Sequence, residues 1–450
     1  MRGWTPDRVA AAADARALAT AGATEGPERA TVDSRDVRPG DLFVGLPGSR
    51  VDGGRFAPHA LAAGAWGVLA RPEHAEAARC AAPGVLLAAE DPLAALQRLA
   101  RDWRRELRCR VIGITGSTGK TSTKDILAAL LAPARRTVAS PANLNTEVGL
   151  PLAMLEAPAG TEALVLELAM RGAGQIAELA AIAAPDVGVI VNVGPVHLEL
   201  LGSVEAVAAA KAELIAALPP GATAVVPARE PLLEPYRRDD LDTVTFGEGG
   251  EVRLAGVSRD GRLIVRARDR DIELEPGFRQ AYHRLNLLAA VAAALAIGVV
   301  PKGRIEVSFS AMRGERVAAP GDVVLINDCY NANPMSVHAA LEDLAEQAEG
   351  RRVAVLGDML ELGAGAEDFH RQAGRQAREA GVDVLVTVGD LAARLLDEFE
   401  GVGHAVADAA EAAALLPELL VPGDTVLVKA SRGVGLEAVA DALAGAGAHR

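Results

Sequence analysis

The stretch Arg110-Val-Ile-Gly-Ile-Thr-Gly-Ser-Thr-Gly-Lys-Thr121 decides how the rest of the chain is read. An apolar run, a Gly-rich turn and a following helical segment, Thr121–Leu131, form the strand–loop–helix context of a phosphate-binding loop. Gly116 and Gly119 let backbone N–H groups close around a phosphate, with Ser117, Thr118 and Ser122 beside them. Lys120 offsets the phosphate charge, and the Thr121 hydroxyl suits Mg²⁺. The helix N-terminus adds its dipole. One irregularity stands out: the general pattern has a Gly five residues before Gly119, where this chain has Ile114. The reading is an ATP site with Gly116, Ser117, Thr118, Gly119, Lys120, Thr121 and Ser122 around the phosphates.

Outward from the loop, short apolar runs alternate with longer Ala/Leu/Glu/Arg segments, the pattern of β-α-β units with mainly parallel sheets. Strands are expected at 41–46, 65–70 and 85–89, then a helix over 92–107. Further strands are expected at 110–114, 163–169 and 187–193, with helices at 203–218 and near 286–298, the last stopped by Pro301. A third set of strands follows at 323–327, 352–356, 384–388 and 425–429. With 450 residues the chain is too long for one ordinary core. The expected fold class is α/β with three domains. These are a smaller N-terminal α/β domain (1–108), a central P-loop ATPase-type domain with a mostly parallel sheet (109–312), and a C-terminal Rossmann-like doubly wound domain (313–450).

Composition excludes several classes of partner. The net charge is −14 and aromatic residues make up 3% of the chain. Neither an electrostatic field nor stacking platforms for nucleic acid are on offer, and an anionic membrane surface is disfavoured. The three cysteines, Cys80, Cys109 and Cys329, have no pairing or metal-ligand spacing, which fits a reducing compartment. The N-terminus lacks an apolar signal core and the longest apolar segment, 287–300, is too short to span a bilayer. The expectation is a cytoplasmic protein without membrane insertion, acting as a monomer.

Three side chains carry a charge or a ring where the pattern calls for something else. Glu167 ends the apolar run Ala163-Leu-Val-Leu-Glu167, where a carboxylate is costly unless it meets a cation or a donor; an edge residue facing solvent is the alternative. His197 follows a buried run, at the carboxyl end of a strand, where open α/β sheets bind ligands. Lys211 falls on the apolar stripe of its helix with Val207 and Ile215, either buried for a purpose or snorkelling from the margin.

These residues together resemble the Mur ligases, ATP-dependent amide ligases of peptidoglycan synthesis. The resemblance spans the chain. It rests on Thr115–Lys124, Asn143-Leu-Asn-Thr-Glu-Val-Gly-Leu-Pro151, Glu167, and His197-Leu-Glu-Leu-Leu-Gly202 with Lys211. Asp328-Cys-Tyr-Asn-Ala-Asn-Pro334, Leu356-Gly-Asp-Met-Leu-Glu-Leu-Gly363 and Val428-Lys-Ala-Ser-Arg432 are similar to the branch that adds D-alanyl-D-alanine to a UDP-N-acetylmuramoyl (UDP-MurNAc) tripeptide. Asp33–Val44 and Asp52–Phe56 resemble the family's UDP-sugar-binding segments.

The resemblance implies a set of roles. Lys120, Glu167, His197 and Lys211 would be catalytic. Thr121 and Glu167 would hold one Mg²⁺, and His197 with a carbamylated Lys211 a second. His283, Asn286, Arg313, Asp328, Tyr330 and Asn331 would contact ATP, with Arg316 the alternative to Arg313 at another register. Ser34, Arg35, Asn145 and Thr146 would contact the UDP-linked substrate. Asn333-Pro334 needs no ligand, being a good helix cap. The family usually has His-Asn-x-x-Asn where this chain has Tyr282-His-Arg-Leu-Asn286, so His283 is expected to supply the hydrogen bond toward adenine. Ala430 replaces the usual Gly in the turn before Ser431. Rival readings are a folylpolyglutamate synthase, a GTPase-type switch and an inactive binding paralogue. The motifs around Tyr330 and Glu361 speak against the first. No Asn-Lys-x-Asp supports the second, and the retained Lys120, Glu167, His197 and Lys211 oppose the third.

Overall fold

The computed structural model describes residues 1, 3–141 and 144–445; Asn143, the first residue of one motif, lies outside them. The described residues form three sheets, one per domain. The N-terminal sheet has five strands in the order Arg16–Ala19, Val85–Ala88, Gly67–Ala70, Leu42–Val44, Ala30–Thr31. All neighbours are parallel except the first pair. The helix Pro92–Leu107 leads out of it. Asp91 caps it by accepting from Leu93 and Ala94 N–H, Pro92 opens it, and Arg108 ends it in the left-handed region. Its buried face (Leu96, Leu99, Trp103) belongs to a core continuous with the central domain, and Trp103 Nε1 donates to Ala157 O at 2.9 Å.

The central sheet has ten strands, with Arg110–Thr115 between Ala163–Glu167 and Val187–Ile190. From Thr137–Ala139 through Val252–Val257 every neighbouring pair is parallel. Two antiparallel pairings then add Leu263–Ala267 and Arg270–Pro276, strands the sequence reading did not anticipate. Their burial alternates, so each carries only every second residue to the core and shows no continuous apolar run. The helices Lys120–Leu131 and Tyr282–Ala296 lie together over one face, where runs of alanine let them approach closely. The second begins at Tyr282, earlier than expected near 286. Gln175–Ala183 and Val204–Ala217 cover the other face.

The C-terminal sheet runs Glu315–Ala319, Val323–Asn327, Thr425–Lys429, Arg352–Gly357, Val384–Val388, Val402–Val406. All pairs are parallel except the first. Helices Pro334–Gln347 and Ala366–Glu379 pack on one face, Ala409–Leu419 and Glu437–Gly445 on the other. Successive crossovers therefore leave neighbouring strands in opposite directions beside Thr425–Lys429. Ligands bind at such switch points, outside the carboxyl ends. Those ends face the phosphate loop of the central domain. Among the described residues no helix is long and apolar enough to cross a membrane.

Candidate active site in the interdomain cleft

The cleft between the central and C-terminal domains has a volume of about 1160 Å³, above the usual range for one small ligand. The phosphate loop forms its floor. Gly119 takes φ 74°, a left-handed backbone that favours glycine, and a Cβ there would displace the Asn286 side chain. Asn192, unmarked in the sequence reading, braces the loop. Its Oδ1 accepts from Ser117 N (3.0 Å) and Thr118 N (2.9 Å), and its Nδ2 donates to Thr118 Oγ1 (2.9 Å). Lys120 Nζ donates to Gly116 O at 2.8 Å. Burial pushes its amine below the usual lysine range; the Glu167 charge pulls it up and Arg313 pushes it down.

Glu167 is only 2% exposed and is the last residue of its strand, paired in register with Ile114. The solvent-facing alternative is therefore wrong. Its Oε2 accepts from Thr121 Oγ1 (2.8 Å), its Oε1 from Asn145 Nδ2 (3.0 Å), and its own N–H donates to Ser140 Oγ (3.1 Å). Thr146 and Ser122 also line the cleft. Arg313 reaches across from the C-terminal side: its Nη2 donates to Thr121 Oγ1 at 3.3 Å, and its guanidinium stacks on Tyr330, 4.0 Å from the ring centroid. Arg316 instead donates to Gln347 Oε1. Of the two registers, only Arg313 meets the phosphate loop.

Asp328, Tyr330 and Asn331 line the facing wall. Lys429 Nζ pins that segment, pairing with Asp328 Oδ2 at 2.6 Å and donating to Asn331 O at 2.9 Å. Asn333 caps the helix Pro334–Gln347 in a reciprocal capping box with Ser336. Arg432 stacks on Tyr330 alongside Arg313. Lys429 and Arg432 stood in a quoted motif without a role; only the folded sheet shows them facing Asp328 and Tyr330.

His197 lines the cleft with φ 53°, and its Nδ1 meets Glu361 Oε2 from the C-terminal domain. Burial lowers the His197 pKa, and the Glu361 contact opposes that shift. Lys211 is 1% exposed, which removes the snorkelling alternative. It is not among the residues that line the cleft, and no hydrogen bond or ion pair of its amine is seen among the described residues. Burial, with Lys120 nearby, drives its pKa well below the lysine range.

Two groups of expected ligand residues lie elsewhere. His283, 1% exposed, is stacked on Phe309 (centroids 4.4 Å apart, planes 8° apart) with Phe278 edge-on. Burial lowers its pKa to about 3. It does not line the cleft; Tyr282, Leu285 and Asn286 of the same helix do. Ser34 and Arg35 sit on the N-terminal domain away from the cleft, with Arg35 held by Asp33 at 2.7 Å.

The donor chemistry suits Mg²⁺ in one respect. Among the described residues no three His, Cys, Asp or Glu side chains form a ready cage. Thr121 and Glu167 offer two hard oxygen ligands beside a phosphate site, and Mg²⁺ characteristically takes few protein oxygens, completing its shell with phosphates and water.

Three family models match the chain: the Mur ligase family catalytic domain over residues 29–104, the Mur ligase middle domain over 114–294, and the Mur ligase glutamate ligase domain over 312–432. The chain is 40% identical to the UDP-N-acetylmuramoyl-tripeptide–D-alanyl-D-alanine ligase of Mycobacterium tuberculosis, covering 91% of each protein. It is 35% identical to that of Bacillus subtilis, covering 90% of this chain and 91% of the relative. Among solved structures, MurF from Acinetobacter baumannii superposes with a TM-score of 0.87 at 28% identity, covering 98% and 99% of the two chains. MurF from Thermotoga maritima in complex with ADP gives 0.79 at 31% identity, covering 93% and 97%.

Proposed function

The chain belongs to the Mur ligase family, and from that premise we propose that it joins D-alanyl-D-alanine to UDP-MurNAc-tripeptide at the expense of ATP. The products are UDP-MurNAc-pentapeptide, ADP and phosphate. The observation that carries this is the meeting at Thr121 of three elements: the phosphate loop, the buried Glu167, and Arg313 from the opposite domain.

A carboxylate is a poor electrophile. Transfer of the ATP γ-phosphoryl group to the tripeptide's terminal carboxylate makes an acyl phosphate and releases ADP. The dipeptide amine then attacks the acyl carbon, a tetrahedral intermediate forms, and phosphate leaves with the C–O bond pair. Lys120 and Arg313 offset charge as the phosphoryl group moves. Thr121 and Glu167 would hold Mg²⁺, which when bound would supply further charge neutralisation at the phosphates. Asn192 keeps Ser117 and Thr118 in place, and Asn145 orients Glu167 from the opposite side to Thr121. The walls from both domains keep water from the acyl phosphate.

Asn286, Tyr330 and Asn331 take the nucleotide's sugar and base, with Asp328 held ready by Lys429. Ser34 and Arg35 on the N-terminal domain hold the UDP end. Lys211 is carbamylated in this reading: its amine adds to CO₂ and loses a proton, giving an anion that, with His197, would hold a second Mg²⁺. A buried amine whose pKa burial drives well below the lysine range supports this step. The test is ADP release on mixing ATP, D-alanyl-D-alanine and UDP-MurNAc-tripeptide ending in either L-lysine or meso-diaminopimelate. Release with one tripeptide is expected; no release with either defeats the reading.

A further inference from the structure

One contact in the cleft has no part in the mechanism above. Glu361, in the loop after the C-terminal strand Arg352–Gly357, crosses the domain boundary and places Oε2 against His197 Nδ1. The surrounding backbone is built around the meeting. Glu361 O accepts from Glu199 N at 3.1 Å. A Cβ on Gly363 would lie 3.3 Å from Glu199 Cα and N, so the loop lies almost flush on the turn that carries His197. Both partners adopt left-handed backbone, φ 64° at Glu361 and 53° at His197. Non-glycine residues rarely do so without surroundings that hold them there.

The Glu361 loop is also braced from behind. Leu360 N donates to Ser431 Oγ at 2.9 Å, and Met359 N to His370 Nε2 at 2.9 Å. The Glu361 loop is thus held by its own domain, with Arg171 Nε of the central domain 3.7 Å from the other carboxylate oxygen, while His197 Nε2 makes no hydrogen bond among the described residues. A carboxylate at Nδ1 holds the proton on that nitrogen. It leaves Nε2 as a lone-pair donor and fixes the ring's orientation.

We propose that Glu361 is a positioning residue: the C-terminal domain supplies the carboxylate that sets the tautomer and direction of His197, so that Nε2 faces the cleft as a ligand. The two partners come from different domains, so this arrangement exists only while the two domains meet as they do here. Its metal-binding consequence rests on the role given to His197 under Proposed function.

The test uses the full chain in two arms. In the first, ¹⁵N-histidine-labelled, Mg²⁺-free protein with a non-hydrolysable ATP analogue is examined by NMR, the His197 signal being identified by its loss in H197N. Wild type and E361Q are expected to show Nδ1–H with an unprotonated Nε2, and Glu361→Ala to lose that preference. In the second, the Mg²⁺ concentration for half-maximal ADP release should rise about 10- to 100-fold in E361A and largely recover in E361Q. A wild-type tautomer in E361A, or loss of turnover with an unchanged Mg²⁺ requirement, would reduce Glu361 to a domain clasp and overturn the proposal. The NMR arm needs neither peptide substrate. Absence of ADP release in wild type would therefore count against the ligase reading, while the tautomer still decides the positioning role.

Discussion

Replacing Glu167 with Gln separates the chemistry of the site from its architecture. The carboxylate accepts two hydrogen bonds, from Thr121 and Asn145, at 2.8 and 3.0 Å. Gln can keep its carbonyl toward Asn145 Nδ2 and turn its NH₂ to Thr121 Oγ1, which can accept, so what is lost is the charge assistance of these bonds, about 1–3 kcal/mol in all. Against that, the fold no longer buries an ionised group at 2% exposure, which is itself costly. The two terms oppose each other, and the net change in stability should stay within about 1 kcal/mol, a few degrees in melting temperature. Activity has no such offset. The carboxylate proposed to face Mg²⁺ and a charge beside Lys120 both disappear, and a loss of about 4 kcal/mol of transition-state stabilisation corresponds to roughly a thousandfold in turnover. The assay is coupled ADP release at saturating substrates, alongside a thermal melt without nucleotide. Turnover within about tenfold of wild type would refute the role of Glu167. A collapse of the melt would show that its role is structural.

Gly119→Ala must place a side chain at φ 74° and into Asn286 Oδ1; ATP affinity by calorimetry should fall about 30- to 100-fold, from about 2–3 kcal/mol of strain and displacement. R313A should reduce turnover at least about 100-fold whereas R316A, whose guanidinium meets Gln347, should remain near wild type in the same assay. Burial raises the Asp343 pKa from the ordinary aspartate value, near 3.8, to about 6. Between those values the unfolded chain ionises first, so stability present below about pH 4 is lost as pH rises to about 6. The deficit above that is about 3 kcal/mol as an order of magnitude. D343N should accordingly melt a few degrees higher at pH 7 and lose the pH dependence between 4 and 6, read by thermal melts across that range.

The sequence revealed most where function is written in consecutive residues or in a broken pattern. The phosphate loop is contiguous, Glu167 interrupts an apolar strand and Lys211 an apolar helix face; each could be singled out without knowing its neighbours. The helix Pro92–Leu107 carries its cap, its opening proline and its stripe in one stretch, and its observed bounds match the expected ones. Edge and meander strands such as Val252–Val257 and Val402–Val406 expose much of their length, so their apolar signal is diluted by charge and glycine. Asn192 and Glu361 act on residues 74 and 164 positions away, pairings that exist only after the sheets assemble. His283 shows the reverse failure. It sits one turn from Asn286 on the same helix, yet Phe278 and Phe309 draw its ring into an apolar cluster, so that of the two only Asn286 lines the cleft.

The central claim is that this cleft moves a phosphoryl group onto a peptide carboxylate and then replaces it with an amine. Mass spectrometry of a reaction containing ATP, D-alanyl-D-alanine and UDP-MurNAc-tripeptide reads this directly. The account predicts UDP-MurNAc-pentapeptide appearing in step with ADP and phosphate, one of each per bond formed, and none of the three when Lys120 is replaced by Ala. ATP binding with no pentapeptide from either tripeptide, or pentapeptide formed at an undiminished rate by the Lys120→Ala protein, would contradict it.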